Sequence, residues 1–306
     1  MKLNRNFSIL ALDGGGVKGI YAARILARLE ATLGAQVKDC FDLITGTSTG
    51  SILAGAAAAS IPMSEIVRLF EEESPSIFRK RRGIGDLTML WRSRYSQQPL
   101  DDVLQRYVRD LTLGELSSPL LIPSTDLATG EVHVFKSRYL VELGEPYSRY
   151  GETLLRDAIL ASCAAPTYFD PKEVDSHLLS DGGLWANNPS IIALTEAVSK
   201  FNRSIEEVRI LSVGTGHSPN MYRRRKHWGL LTGWGREKLV SYTLSLQSQA
   251  SANMARMMLG PRYLRLDPTI ESWQLDDVRH LDNVKALADH TFDRQCGVIL
   301  AHIKGD

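Results

Sequence analysis

The chain has 306 residues, 43% of them hydrophobic and 23% charged, with a formal net charge of +1. This length allows one large α/β domain or two smaller ones. The near-neutral charge does not favour a nucleic-acid polymer as a partner. The sparse cysteines, Cys40, Cys163 and Cys296, form neither a metal-ligand spacing nor a disulfide framework, which suits a reducing cytoplasm. We expect no signal peptide and no membrane-spanning segment, because the longest apolar stretch, 51–61, is too short to cross a bilayer.

The first predicted strand, 7–12, ends in a glycine-rich turn, 13–19 (DGGGVKG), and a helix with one apolar face follows. Such a turn directs backbone N–H groups toward one point, where they stabilise an anion. Two interpretations compete. A phosphate cradle is one, but the turn lacks the ending of a P-loop and the spacing of a dinucleotide-binding motif. The other is an oxyanion hole that serves a nucleophile elsewhere in the sheet.

Residues 46–50 (GTSTG) lie between a short apolar run and an alanine-rich segment. A strand, a sharp turn and a helix in this order predict a nucleophile elbow, in which a strained turn lifts the hydroxyl of Ser48 out of the sheet. Gly46 and Gly50 avoid collisions with the adjoining strand and helix. The N-terminus of the helix favours developing negative charge. A glycine- and serine-rich loop that matches by chance is the competing interpretation.

A change in character follows a predicted helix over 63–74. Residues 75–98 combine a basic cluster, 79–82 (RKRR), with Trp91 and other apolar side chains. This composition is typical of a mobile flap that meets anionic lipid headgroups. A solvated loop with its own small packing fits the same residues equally well.

The later elements alternate between strands and helices. The patterns predict helices over 98–111, 153–164, 190–201, 239–258 and 278–303, and strands over 120–126, 132–135, 177–180, 208–213 and 262–266. A second basic cluster, 223–226 (RRRK), precedes the long helix. The alternation predicts a mostly parallel sheet covered on both faces by helices. We treat 1–306 as a single domain, with its motifs in 7–217 and a helical extension in 229–306.

A serine hydroxyl needs a base to take its proton, and two candidates also follow predicted strands. Asp181, in the turn 181–183 (DGG), would accept the proton directly. His217 would complete a Ser-His-Asp triad. The competing interpretations are a turn-forming aspartate and a surface histidine. Because working residues gather at the carboxyl ends of parallel strands, we expect both candidates near Ser48. Spacing alone does not choose between a dyad and a triad.

Together these motifs resemble those of the patatin-like phospholipases. The turn 13–19 is similar to the family's glycine-rich oxyanion motif, 46–50 to its elbow, and 181–183 to its Asp-Gly-Gly/Ala motif. Residues 165–169 (APTYF) and 187–189 (NNP) are also similar to family segments. The likeness covers about residues 7–217. It implies a three-layer α/β/α fold with a mostly parallel central sheet.

The resemblance also implies a chemistry, lipid acyl hydrolysis by a Ser-Asp dyad. Ser48 would be the nucleophile and Asp181 the base, and His217 would fall outside the reaction. The oxyanion would be held by the backbone N–H groups of Gly14, Gly15 and Gly16, with help from the N–H of Thr49. No metal and no cofactor would be required. Two alternatives stay open: a Ser-His-Asp esterase or peptidase, and a non-catalytic lipid- or nucleotide-binding module on the same fold.

The compact chain further resembles phospholipase effectors of antiphage systems, which cyclic oligonucleotides switch on. The basic clusters 79–82 and 223–226 would then bind phosphates. The expected partners are membrane phospholipid at the bilayer surface and a cyclic oligonucleotide activator. We expect a cytoplasmic protein that associates peripherally with the inner membrane when active.

Overall fold

The computed structural model describes residues 6–79, 92–137, 151–218, 222, 227–229, 234, 236–270 and 274–305. These residues form an eight-stranded sheet in the order β5-β6-β3-β2-β1-β7-β8, with β4 paired to β3. The strands are β1 (Phe7–Leu12), β2 (Leu43–Gly46), β3 (Leu120–Asp126), β4 (Glu131–Lys136), β5 (Lys172–Val174), β6 (His177–Asp181), β7 (Val208–Val213) and β8 (Tyr263–Leu266). Residues 80–82 and 223–226 of the two basic clusters, and 80–91 of the predicted flap, lie outside the described residues.

The helices of the described residues flank this sheet. They are α1 (Ile20–Leu33), α2 (Val37–Cys40), α3 (Thr49–Ala58), α4 (Met63–Ile77), α5 (Gln98–Val108), α6 (Leu155–Ser162), α7 (Gly183–Ala186), α8 (Ser190–Ser199), α9 (Arg236–Leu259) and α10 (Leu281–Lys304). Short 3-10 turns span Gly16–Gly19, Leu113–Glu115, Ile205–Glu207, Gly260–Arg262 and Val278–His280. None of the helices in the described part of the chain is long and apolar enough to cross a membrane.

The sheet separates two apolar cores, because successive side chains of a strand point to opposite faces. In β1, Leu10 and Leu12 join the core beneath α1, α3, α4, α5, α6 and α10, whereas Ile9 and Ala11 join the core beneath α8 and α9. The pairs β1–β2, β1–β7, β2–β3 and β7–β8 are all parallel. The predicted three-layer α/β/α fold with a mostly parallel sheet is confirmed.

Two strands, β2 and β6, pair with the same edge of β3 and run toward each other. β4 pairs with β3 along the opposite edge, from Leu121 to Asp126. On the shared edge, β2 runs parallel beside Leu120 and Leu121, and β6 runs antiparallel beside Ser124–Asp126. The carboxyl ends of β2 and β6 therefore face each other. Asp181, the last residue of β6, thus reaches the turn after β2 from the antiparallel direction and not, as we expected, from a parallel strand.

Two further differences from the sequence-based expectations concern α4 and β5. α4 continues past Pro75 to Ile77, which is buried in the core, so the start of the predicted flap is helical. β5 was not predicted, because a strand of three residues leaves too short a pattern to read. The strand predicted over 262–266 is present as β8, so the segment described as a helical extension also contributes to the sheet, parallel to β7.

Candidate active site

Ser48 stands on a strained turn between β2 and α3, with φ at 51° and ψ at −125°. A non-glycine residue in this region costs about 1–3 kcal/mol, and the surrounding structure must hold it there. A methyl group at Gly46 would lie 2.0 Å from the carbonyl oxygen of Gly50, and one at Gly50 would lie 2.3 Å from that of Leu12. Neither glycine position accepts a side chain, so the turn is as tight as an elbow requires.

Asp181 lies beside this serine and is almost completely buried, with 2% of its surface exposed. Its Oδ1 accepts a hydrogen bond from the backbone N–H of Gly183 at 2.6 Å. Burial raises the pKa of Asp181 to about 7, while the hydrogen bonds from Gly183 and from the Ser48 hydroxyl oppose the rise. A buried carboxylate with a pKa near neutrality, placed beside a serine, is suited to accept the proton of the serine hydroxyl.

The pair opens into an apolar pocket, which we define by its lining from α3, α4 and the segment after α6. Its wall includes Ile52, Leu69, Phe70, Ile77, Phe78 and Phe169. Cys163 is buried in the same wall, and this burial raises the pKa of its thiol. Apolar walls around a polar reacting pair are suited to a substrate with a hydrocarbon chain.

The glycine-rich turn lies next to the serine, since a methyl group at Gly14 would come within 3.1 Å of the Ser48 Cβ. The N–H of Gly14, however, donates to the carbonyl oxygen of Asn187 at 3.0 Å. That N–H is therefore not free to hold an oxyanion, and Gly14 is removed from the expected donors. Its carbonyl oxygen accepts a hydrogen bond from the Thr215 hydroxyl at 3.0 Å.

Three N–H groups nearby stand at helix starts, where a helix supplies no internal acceptor. Gly15 caps the 3-10 turn, Gly16 begins it, and Thr49 begins α3. Within the described residues, no backbone carbonyl accepts a hydrogen bond from any of these three groups. They form the set of donors that the geometry leaves available beside Ser48.

The first residue of the turn, Asp13, is anchored to the last strand of the sheet. Arg265 of β8 donates from Nη1 to Oδ1 of Asp13 at 2.7 Å and from Nη2 to Oδ2 at 2.6 Å. Ser248 of α9 donates to the same carboxylate at 3.1 Å. Burial raises the pKa of Asp13 to about 6, and Arg265 opposes the rise. A buried, bidentate ion pair therefore fixes the start of the turn.

The rest of the turn is packed against residues that come late in the chain. A methyl group at Gly15 would lie 2.0 Å from Oγ1 of Thr215, and one at Gly16 would lie 2.0 Å from the carbonyl oxygen of Leu275. The N–H of Val17 donates to that same carbonyl oxygen at 2.8 Å. Sequence reasoning gave no role to Arg265, Ser248 or Leu275, because no local pattern marks a contact so distant in the chain.

His217 is engaged elsewhere. Its Nδ1 lies 3.2 Å from Oδ2 of Asp267, and its Nε2 lies 3.4 Å from Oγ1 of Thr269. The hydrogen bond with Asp267 raises the pKa of His217. The ring lines a polar cleft and not the apolar pocket that holds Ser48. The structure therefore does not bring its imidazole to the serine.

Asn187, which sequence reasoning noted only within a family-like segment, lies where the polar cleft and the apolar pocket meet. Its Nδ2 donates to Oγ of Ser248 at 2.7 Å and contacts the carbonyl oxygen of Gly14 at 3.5 Å. Its Oδ1 is buried and has no hydrogen-bond partner among the described residues. An unsatisfied acceptor is thus left beside the glycine-rich turn.

Comparisons with known proteins show what this chain is similar to. Residues 10–194 match the model of the patatin-like phospholipase family. A cGAMP-activated phospholipase from Pseudomonas aeruginosa is 33% identical, with 93% of this chain and 85% of the relative covered. A cUMP-AMP-activated phospholipase from Escherichia coli is 29% identical, with 79% and 74% covered. The crystal structure of VipD from Legionella pneumophila is similar at a TM-score of 0.40 and 13% identity, with 99% of this chain and 77% of that one covered.

The family match covers more than half of the chain and contains the elbow, the glycine-rich turn and Asp181. The identity with the first relative extends over nearly the whole length. On both grounds the chain belongs to the patatin-like phospholipase family of lipid hydrolases.

Proposed function

We propose that this chain cleaves carboxyl esters of membrane phospholipids with Ser48 as nucleophile and Asp181 as general base. One observation carries the proposal. A serine held at positive φ and a buried carboxylate, whose pKa burial raises to about 7, line the same apolar pocket. The nucleophile, the base and an apolar wall suited to an acyl chain thus lie together in one pocket.

In the first half-reaction, the Ser48 hydroxyl attacks the ester carbonyl carbon and Asp181 takes the proton. The C–O bond to the glycerol then breaks, the lysophospholipid alcohol leaves with a proton returned by Asp181, and the acyl group stays on the serine. In the second half-reaction, Asp181 accepts a proton from water, which attacks the acyl-enzyme. The fatty acid leaves and the Ser48 hydroxyl is restored.

The oxyanion formed in each half-reaction is held by the N–H groups of Gly15, Gly16 and Thr49. All three are unused by backbone acceptors in the described residues, which supports their assignment. Losing one such donor typically costs about 3 kcal/mol of transition-state stabilisation. The N–H of Gly14 has a different task, since it ties the turn to Asn187.

A Ser-His-Asp mechanism is the second candidate, but the position of His217 speaks against it. Both nitrogens of its ring have partners other than Ser48. A triad would require the ring to leave Asp267 and to enter the apolar pocket. We therefore place His217 outside the chemistry.

We further propose that a cyclic oligonucleotide activates the chain and that it works at the bilayer surface as an antiphage effector. The support is the identity with relatives named as cGAMP-activated and cUMP-AMP-activated phospholipases. Titration with cGAMP and with cUMP-AMP should raise phospholipid hydrolysis with at least one of them. Co-sedimentation with phospholipid vesicles, with and without that nucleotide, tests the association with membranes.

The dyad is tested by hydrolysis of a fluorogenic phospholipid, in the presence of the activating nucleotide. Ser48→Ala and Asp181→Ala should each lower kcat by about 1,000-fold or more, because residues that act as one unit fail together. His217→Ala should keep most of the activity. Loss of activity in a folded His217→Ala variant, or retained activity in Asp181→Ala, would contradict the Ser-Asp dyad.

A further inference from the structure

The polar cleft lies beside the apolar pocket, and the two share the wall formed by Gly15, Asn187, Leu244 and Leu275. Its volume is about 190 Å³. Since a cavity needs about 10–15 Å³ to hold a single water, the cleft has room for a phosphate group with its neighbouring atoms. Hydroxyl and amide groups line it, among them those of Ser218, Ser241, Ser245 and Gln249.

The charges of the cleft do not cancel. Three cations, Lys18, Lys238 and Arg265, face two carboxylates, Asp13 and Asp267. Arg265 bonds to both carboxylates, at 2.6 Å and at 3.2 Å. The five groups therefore sum to one net positive charge, and the two lysines are the cations that Arg265 leaves outside its ion pairs, in a space that is partly closed to water. Such a space attracts an anion more strongly than an open surface does.

Lys18 is the more enclosed of the two lysines. It is partly buried in the 3-10 turn Gly16–Gly19, and among the described residues its ammonium has no hydrogen bond and no ion pair. Burial lowers the pKa of Lys18 to about 8, although the charge of Asp267 opposes the change. At neutral pH the group still carries its proton. A buried cation without a partner is costly, and a bound anion would remove that cost.

Lys238 stands at the exposed side of the cleft. It lies in the first turn of α9, and its ammonium lies 4.7 Å from the ring centroid of Tyr222. This contact leaves the hydrogen-bonding capacity of the ammonium free for an anion, because the attraction to the ring face is electrostatic.

We infer that the polar cleft is a phosphodiester-binding subsite, with Lys18 as its main contact and Lys238 as a second one. Where the ligand of the cleft is a phospholipid, the inference rests on the proposed function. In a glycerophospholipid the phosphate is only a few covalent bonds from the scissile ester. With the acyl chain in the apolar pocket and the ester carbonyl at Ser48, the phosphate must lie where the two pockets meet. The phosphodiester of a cyclic dinucleotide has the same chemistry and is the second source.

The lipid arm of the test compares two substrates with the same acyl chains, phosphatidylglycerol and diacylglycerol, in neutral detergent micelles at saturating activating nucleotide. The readout is the ratio of their kcat/KM values. Lys18→Met should lower this preference for the phospholipid by about tenfold or more, as expected for a hydrogen bond between charged groups. Lys18→Arg should restore most of it. Lys238→Met should lower it by a smaller factor, and Lys38→Met, a change on α2 outside both pockets, should leave it unaltered.

The nucleotide arm measures binding of cGAMP and of cUMP-AMP to the Ser48→Ala protein by calorimetry, with and without Lys18→Met. A lower lipid preference with unchanged nucleotide binding assigns the cleft to the phospholipid headgroup. Weaker nucleotide binding with unchanged lipid preference assigns it to the activator. A fall in both means that the two phosphodiesters share the cleft.

Two results together would overturn the inference: an unchanged preference for the phospholipid and unchanged nucleotide binding. Both must be measured in Lys18→Met and Lys238→Met proteins whose unfolding temperature equals that of the wild type. Failure of the proposed function is distinguishable from that outcome, because the wild type would then hydrolyse neither lipid while the binding arm could still be read.

Discussion

The turn at Ser48 is closed by backbone contacts among its own neighbours, whereas the turn at 13–19 is closed by residues from the far end of the chain. Gly46 and Gly50 press against each other and against β1. The glycine-rich turn instead depends on Thr215 and Arg265, which follow its residues by 201 and 252 positions. The elbow has distant partners of its own, since Thr47 donates to the carbonyl oxygen of Ala186 and the N–H of Ser48 donates to Oγ of Ser162. Its tightness, however, comes from close backbone packing, whereas the glycine-rich turn is positioned by the last strand of the sheet.

This difference separates two ways to lose the same activity. A change at the elbow collides with backbone that cannot move, so the fold and the nucleophile fail together. A change in the anchors of the glycine-rich turn leaves the nucleophile in place and displaces the oxyanion donors. Four substitutions sharpen the contrast, taken from the largest expected effect on stability to the smallest.

Arg265→Met should destabilise the fold by about 3–5 kcal/mol, because it leaves Asp13 buried without its counter-ion. The loss should be smaller at pH 5 than at pH 8. Without Arg265 the pKa of Asp13 rises further above its usual value, and at pH 5 the carboxyl is then protonated and uncharged. Urea unfolding at both pH values measures the effect.

The double variant Asp13→Asn/Arg265→Met is the matched control for this ion pair. It removes both charges, so it should be more stable at pH 8 than Arg265→Met alone. A double variant no more stable than the single one would show that the anchor does not act through charge.

Gly50→Ala should cost about 1–3 kcal/mol, because its methyl group must displace the carbonyl oxygens of Leu12 and Asp13. The displaced elbow should lose about 100-fold or more in kcat. Gly297→Ala in α10 is the control, since its methyl group meets no atom within 4 Å and should stabilise the helix by up to about 1 kcal/mol. Equal unfolding midpoints for the two variants would contradict this account of the elbow.

Asp181→Asn should stabilise the fold at pH 8 by about 2 kcal/mol while it abolishes hydrolysis. The pKa of Asp181 is raised to about 7 in the folded chain, so its ionisation weakens the fold as pH rises from 4 to 7. The amide carries no such cost. Thermal unfolding of both proteins across this range should show the gap widening toward high pH, and a constant gap would count against a buried, ionising carboxylate.

The same raised pKa predicts the pH profile of the wild type. Only the ionised carboxylate accepts a proton from Ser48, so kcat/KM should rise as pH increases through about 7 and then level off. An optimum near pH 5 would exclude Asp181 as the base.

Ser48→Gly should raise stability by about 1 kcal/mol over Ser48→Ala, the smallest effect of the series. Glycine adopts the positive φ of this position without steric cost, whereas alanine retains the strain. Both variants should be inactive. Calorimetric unfolding of the pair isolates the backbone strain, and equal stability would show that the turn is relaxed.

The contrast between the two turns also explains which features of the structure the sequence predicts. The bounds of β1 and β7 were predicted to the residue, because a buried strand is a continuous apolar run between turn residues. Ser48 and Asp181 were singled out because short patterns carry them. The structure places them side by side, but no sequence pattern indicated that β6 would arrive antiparallel on the edge it shares with β2.

The donors of the glycine-rich turn show where the sequence stops being informative. Three consecutive glycines look equivalent, yet the N–H of Gly14 is occupied by Asn187. That contact joins residues 173 positions apart, and no local rule indicates it. The same holds for Arg265, which lies beyond the residues that match the family model. Its pairing with Asp13 becomes visible only after β8 has been placed beside β7.

The distance between Asp13 and Arg265 along the chain also orders events during synthesis. The elbow, the glycine-rich turn and Asp181 all leave the ribosome before β8 does. Until Tyr263–Leu266 has added to β7, the carboxylate of Asp13 lacks its cation and the turn lacks its anchor. Contacts this far apart in sequence form late in folding. The growing chain thus carries its nucleophile well before it has a site able to cleave lipid.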